Sequence, residues 1–172
     1  MTHEIADWAY TQDFRYKDIR GQGHSLFEQL QQGPVLAAIV MTHVHASRLV
    51  LSYLKRLKTQ APAAQILLLF QGDISDIEAY TKGYLDDLLV AHDKDLSFSY
   101  RFRATHVPTV LYLKSAGAGL GIDVQFSGFK KYSLNALAKQ VQQDTGAKVK
   151  ELITANDNKG EYELAERGLL QL

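Results

Sequence analysis

His43 and His45, one residue apart, are the side chains whose type and spacing come nearest to chemistry in this sequence. A His-x-His pair on a loop can offer two imidazole nitrogens to one metal ion. The same pair can be polar loop residues at the edge of a sheet, which is how loop histidines commonly serve. Cysteine sets a firmer bound, because the chain has none. A thiolate attacks disulfides and peroxides because a soft sulfur anion is accessible near neutral pH. Without one, disulfide exchange, peroxidatic catalysis, thiol nucleophiles and Cys-based zinc sites are excluded together. Ser47, close by, has no comparable anion and no activating base at the spacing of a triad. We assign no catalytic residue.

Other motifs are weaker. Tyr100-Arg101-Phe102-Arg103 interleaves aromatic and basic residues, as single-strand nucleic-acid binders do. However, Lys plus Arg is 19 and Asp plus Glu is 19, so formal net charge is zero. No global field draws nucleic acid or an anionic membrane, and neither is expected as a partner. His92-Asp93-Lys94-Asp95 reads as a solvated loop. Asp157 to Gly160 lacks the ligand spacing of a calcium loop, and no Gly-rich phosphate loop opens a helix. No cofactor is expected.

The elements that must position these residues follow from patterning. Ser25-Leu26-Phe27-Glu28 matches a capping box and predicts a helix through Gln31. Val35 to Met41 is continuously apolar after Gly33-Pro34, as in a strand buried on both faces. Thr42 to Ser47 reads as a polar break before a helix with Leu49, Val50, Tyr53, Leu54 and Leu57 on one face. The N–H groups opening that helix at Ala46-Ser47-Arg48 can hold an anion, or be capped and solvated. Ile66 to Phe70 predicts a second buried strand, Ser75 a helix cap, and Leu88 to Val90 a third strand. Phe98, Tyr100 and Phe102 alternate like a strand, yet Asp95 can also cap a short helix there. Val110 to Leu113 and the segment around Val124 and Phe126 predict a hairpin across Gly117. Ser133 is expected to cap a last helix that stops at Gly146.

The chain has 172 residues, enough for one domain that buries about 70% of its unfolded surface. Met1 to Asp7 carries no basic start or apolar run, so no signal peptide is expected. The apolar stretches are too short to span a bilayer, and a soluble, cytoplasmic protein is the expectation.

This order resembles the thioredoxin fold, in particular its redoxin branch (the TlpA/ResA-like and AhpC/TSA-like proteins). Asp13-Phe14-Arg15-Tyr16-Lys17-Asp18-Ile19-Arg20-Gly21 with Ser25-Leu26 is similar to the opening of that family. Gly33 to Met41 resembles its central strand, and Val107-Pro108-Thr109 its "V-P-T" segment with a cis proline. Gly128, Ser133 and Leu134 resemble its closing strand and helix. The likeness covers roughly residues 12 to 145 and rests on order and spacing, since no single piece is specific.

The resemblance implies an α/β chain with a mixed five-stranded sheet flanked by helices, an N-terminal strand/helix extension and a C-terminal extension. It places the thioredoxin-like domain at residues 1–146 and the extension at 147–172. It sets Pro108 beside the Thr42 to Ser47 loop, where active members carry their cysteines. Aligned on the strand, His45 and Arg48 fall at the cysteine positions; aligned on a following arginine, Val44 and Ser47 do. The family's substrates pair with the backbone of the residue before the proline, here Val107. The expected binding groove is therefore Thr42, His43, Val44, His45, Ser47, Arg48, Val107, Pro108 and Thr109, in a cysteine-less pseudoenzyme that takes a protein or peptide partner. The alternative is a metal-binding or enzymatic protein using His43, His45 and His106, with Asp73 as an oxygen ligand. Leu152, Ile153, Tyr162, Leu164, Leu169 and Leu170 make the extension too apolar for a free tail. It is expected to pack on its own domain or on a second subunit, as in a homo-oligomer.

Overall fold

The computed structural model describes residues 11–172. The expectation for Met1 to Asp7 lies outside them. The described chain enters through an antiparallel ribbon, Arg15–Lys17 (β1) and Gly23–Ser25 (β2), which pairs Tyr16 with His24. Ser25 caps the next helix, Leu26–Gln32 (α1), by accepting from the Glu28 N–H. That bond satisfies one of the donors that a helix start leaves free.

Val35–Val40 (β3) follows, and all six of its residues are buried. Successive strand side chains point to opposite faces, so burial of both sets requires cover on both sides of the sheet. Its neighbours are Gln65–Phe70 (β4) in parallel and, beyond that, Leu89–His92 (β5), also parallel. The parallel crossovers are supplied by His45–Gln60 (α2) and Ile74–Thr81 (α3). Helix α2 buries Val50, Leu51, Tyr53, Leu54 and Leu57, the 3–4 spacing of one helical face.

The chain then makes a short helix, Ser97–Arg101 (α4), and a two-residue strand, His106–Val107 (β6). Thr109–Ala116 (β7) lies antiparallel to β3, and Gly119–Ser127 (β8) closes the hairpin, giving the order β5-β4-β3-β7-β8. Phe129–Lys130 (β9) leads into Lys131–Asp144 (α5). The eight expected core residues Leu36, Ile39, Val40, Leu54, Leu67, Leu69, Val110 and Leu137 are all buried, none more than 2% exposed. Full burial of a Leu, Ile or Val side chain contributes about 1.5–3 kcal/mol.

After α5 the chain does not leave the domain. Leu152 and Ile153 are buried, and Asn135 on α5 exchanges two hydrogen bonds with the backbone of Ile153. Arg56 on α2 forms a two-bond fork with Asp157 and also donates to the Leu152 carbonyl. The last pieces are two short strands. Tyr162–Glu163 (β10) pairs with β9, and Glu166–Arg167 (β11) pairs with β6.

Four local expectations are corrected. Helix α2 begins at His45, not after Ser47, so the break is Met41 to Val44. The cap of α3 is Asp73, whose carboxylate reaches the Ser75 N–H at 2.8 Å. The cap of α4 is provided by Asp93, which accepts from Phe98 and Ser99 N–H, so neither Asp95 nor a strand is used. Ser133 lies inside α5, because the Lys131 N–H is already satisfied by the Glu161 carbonyl from the distant C-terminal segment.

Candidate functional site

The ladder between β3 and β7 sets Thr109 opposite Ile39. Val107 and Pro108 therefore lie at the C-terminal end of β3, where Met41 to Val44 leave the sheet. The Val107–Pro108 peptide bond is cis. Thr109 fixes the turn: its hydroxyl donates to the His106 carbonyl at 2.7 Å and lies 3.2 Å from the Ser127 hydroxyl. Gly128, with φ of +84°, donates its N–H to the Pro108 carbonyl at 2.8 Å. A single wall results, made of the proline turn and Gly128.

The C-terminal segment lies along that wall. A Cβ on Gly128 would come within 2.9 Å of the Glu163 carbonyl oxygen and 3.1 Å of the Ala165 nitrogen. Glu166 then pairs with Val107 and Arg167 with His106. Gly168 donates to the Thr105 carbonyl at 2.8 Å, extending the antiparallel ladder by one residue. A Cβ at Gly168 would meet Gln71 Oε1 at 2.8 Å and Val107 Cγ1 at 3.3 Å, so the Gln71 side chain, which bonds Ser99 and Leu169, would have to shift. The edge before the proline is thus occupied by an extended backbone from the same chain.

A buried polar network holds the far end. Gln71 accepts from the Leu169 N–H through Oε1 at 2.9 Å and donates through Nε2 to the Ser99 hydroxyl at 2.7 Å. Ser99 donates in turn to Asp93 at 2.6 Å. All three side chains are buried: Gln71 1%, Ser99 0% and Asp93 3% exposed. Asp93 is therefore not part of a solvated loop, and its carboxylate finds its partners at the start of α4. Among the described residues no buried side-chain nitrogen or oxygen lacks a partner, as folded proteins require of polar groups in their interior.

Comparison with solved structures gives the fold its context. A thiol:disulfide interchange protein of the thioredoxin family from Chlorobium tepidum TLS superposes with a TM-score of 0.64 at 12% identity, over 78% of this chain and 94% of that one. A secreted Mycobacterium tuberculosis disulfide oxidoreductase gives 0.59 at 14% identity, over 76% and 95%. A hypothetical protein, SMc02350, from Sinorhizobium meliloti 1021 gives 0.66 at 13% identity, over 92% and 91%. The fold is thioredoxin-like. By sequence, no family profile and no curated protein matches the chain.

Within this thioredoxin-like fold the expected site residues separate into two groups. Val107, Pro108 and Thr109 are buried in the turn just described. Of the α2 side, Val44 and Ser47 are also buried, and Ser47 Oγ accepts from the Met41 N–H at 3.2 Å. Ser47 therefore serves the loop's own backbone and faces no substrate. Thr42 is half-buried, whereas His43, His45 and Arg48 are exposed. The Arg48 N–H is taken by the Val44 carbonyl, so it is not a free donor for an anion.

His43, His45 and His106 do not form a ligand set. Among the described residues no three His, Cys, Asp or Glu side chains are placed to hold a metal ion. His106 is exposed beside Thr105, 3.0 Å from its hydroxyl, and Asp73 is committed to capping α3. Among the described residues no helix is long and apolar enough to cross a membrane.

Gln71, Ser99, Gly168 and the Glu166–Arg167 pair are not among the residues that sequence patterns single out, and Gly128, Leu169, Leu170 and Asp93 are singled out there for other roles. The one available signal was Gly168, an isolated glycine in an otherwise substituted stretch, which marks close backbone approach.

Proposed function

We propose that this chain is a cysteine-free binding module that receives an extended peptide segment on the β6 edge of its thioredoxin-like fold, without redox chemistry. The observation that carries this reading is the antiparallel seating of Glu166–Arg167 on His106–Val107. That edge accepts a strand, so it retains the recognition step of strand addition, in which main-chain bonds supply affinity and flanking pockets supply selectivity. The chemical step is missing for a separate reason: no residue in the chain can form a thiolate. A protein or peptide partner fits such an edge better than a small molecule, because what is offered is main-chain N–H and C=O at strand spacing.

The test is selection of random peptides on the immobilised full-length protein, with insulin-reduction and peroxide-consumption assays alongside. The expected result is enrichment of peptides whose binding is competed by the chain's own C-terminal sequence, with background rates in both assays. Turnover in either assay, or no enrichment of competed peptides, overturns the reading.

A further inference from the structure

We propose that residues 161–172 form a displaceable strap, filling the β6 groove in the resting chain, so that a partner's extended segment binds by taking the strap's place. This rests on the reading of the groove as a peptide site and specifies how that site is regulated and what it recognises.

Three observations carry it. First, the strap follows the groove at both ends of its wall, past Gly128 and then along His106–Val107 to Gln71. Second, its seat is shallow. Each of its strands pairs over two residues, and among residues 161–172 only Gly168 and Leu170 are buried. Leu164 and Leu169 stay 75% and 49% exposed. Segments with few buried contacts occupy the low end of local opening free energies. Third, the point of attachment is firm. Upstream of the strap, Leu152 and Ile153 are buried and Arg56 grips Asp157. Asn158 follows in the left-handed region at φ of +52°. Opening can therefore stop at Asn158 without unfolding the domain.

The strap also states what the groove recognises. Gly168 packs where a Cβ would strike Gln71 and Val107. Its next residue gives its N–H to Gln71, and Leu170, two residues on, is buried. The side chains of Glu166 and Arg167 face solvent. A competing partner segment therefore presents a glycine followed two positions later by a leucine-like residue, with free choice of side chain before the glycine.

Because the chain lacks cysteine, a single engineered disulfide can lock the strap. Since Gly168 donates to Thr105, ladder alternation makes Arg167 and His106 a non-hydrogen-bonded pair, with Cα atoms about 4.5 Å apart. That lies within the roughly 4.4–6.8 Å that disulfides span. The experiment uses full-length protein in three forms: wild type, the His106→Cys/Arg167→Cys lock, and a released form. Gly168→Val releases by steric clash. Leu170→Asp, which puts a charge on the strap's buried apolar side chain, serves as the second released form if the first fails to fold. The probe is a fluorescent peptide of the chain's own residues 165–172, and amide exchange at Gly168 and Leu169 reports strap seating.

A tethered strap competes at an effective concentration on the order of 1 mM, so the released forms are expected to bind the probe more than about tenfold tighter than wild type. The oxidised lock is expected not to bind, and reduction to restore wild-type affinity. Equal affinity across wild type, released and oxidised locked forms overturns the strap and leaves the binding reading standing. No binding by any form, with exchange showing the strap free in the released ones, overturns the binding reading and the strap with it.

Discussion

Leu169 donates its backbone N–H to the side chain of Gln71, 98 residues earlier in the chain, at 2.9 Å. The same amide group of Gln71 donates to Ser99, and through it the end of the chain is tied to the buried Asp93 at the start of α4. One side chain thus joins a parallel strand, a helix cap and the C-terminal segment.

Replacing it tests that linkage. Gln71→Ala removes a buried acceptor and a buried donor at once, a change that costs about 1–3 kcal/mol when a partner is left unsatisfied. Denaturant unfolding is expected to show a loss in this range. Amide exchange at Gly168 and Leu169 is expected to accelerate more than that of β3. A uniform acceleration would mean that Gln71 supports the domain as a whole and not the segment it contacts.

How much of this was readable in the sequence depends on where each bond partner lies. The runs Val35 to Met41 and Ile66 to Phe70 announce buried strands because their burial is a property of the run itself. The Gly-containing hairpin and the amphipathic face of α2 are legible for the same reason. The pairing of Arg167 with His106 leaves no periodicity, since it consists of main-chain bonds between segments far apart in sequence. Asp93 sits in a charged run and looks solvated, because Gln71 and Ser99 arrive beside it only in the folded chain. Ser133 has the sequence of a cap, but the Glu161 carbonyl, from the same distant segment, satisfies the Lys131 N–H. The fold was local information, and the occupied groove was not.

Ile153 anchors the extension. It is fully buried, and its backbone is held by Asn135 independently of its side chain. Ile153→Ala is expected to destabilise by about 2–5 kcal/mol, the range for deleting a buried Ile or Leu side chain. Truncation after Gly146 removes Leu152 as well and is expected to lower the melting temperature further. An unchanged melting temperature in both would show that the extension contributes nothing to the domain.

Acid stability follows from Asp18. Burial works to raise its pKa, but hydrogen bonds from His24 and from the Gln22 and Arg20 amides outweigh it and hold the carboxyl below the ordinary carboxylate range. A pKa lower in the folded than in the unfolded chain, where it is about 3.9, stabilises the fold above that value. That contribution is lost as pH falls through the folded pKa. In Asp18→Asn the amide oxygen can still accept both backbone N–H groups, but the group no longer titrates. The variant is expected to be less stable at neutral pH and to lose less stability on acidification. Other carboxyls held low add to the remaining slope: Asp13 and Asp144, where burial is opposed and outweighed by hydrogen bonds, and Asp73 and Asp157, which Ser75 and Arg56 hold down by side-chain hydrogen bonds. Melting temperature against pH for the two proteins checks the sign, and parallel curves would rule Asp18 out as a source of the acid dependence.

Gly128 and Gly21 make a controlled pair for measuring how firmly the C-terminal segment presses on the groove wall. Their φ angles are nearly equal, +84° and +85°. At either position an alanine meets the same left-handed backbone penalty, about 1–2 kcal/mol. Their surroundings differ. Nothing lies within 4 Å of a Cβ on Gly21, whereas a Cβ on Gly128 meets the Glu163 carbonyl at 2.9 Å. That atom is backbone and cannot rotate aside, so the segment must move. Gly128→Ala is therefore expected to destabilise more than Gly21→Ala, and to speed amide exchange from Glu163 to Gly168, while Gly21→Ala leaves those amides unchanged. Equal losses of stability, with the C-terminal amides equally protected in both, would show that the segment does not bear on Gly128.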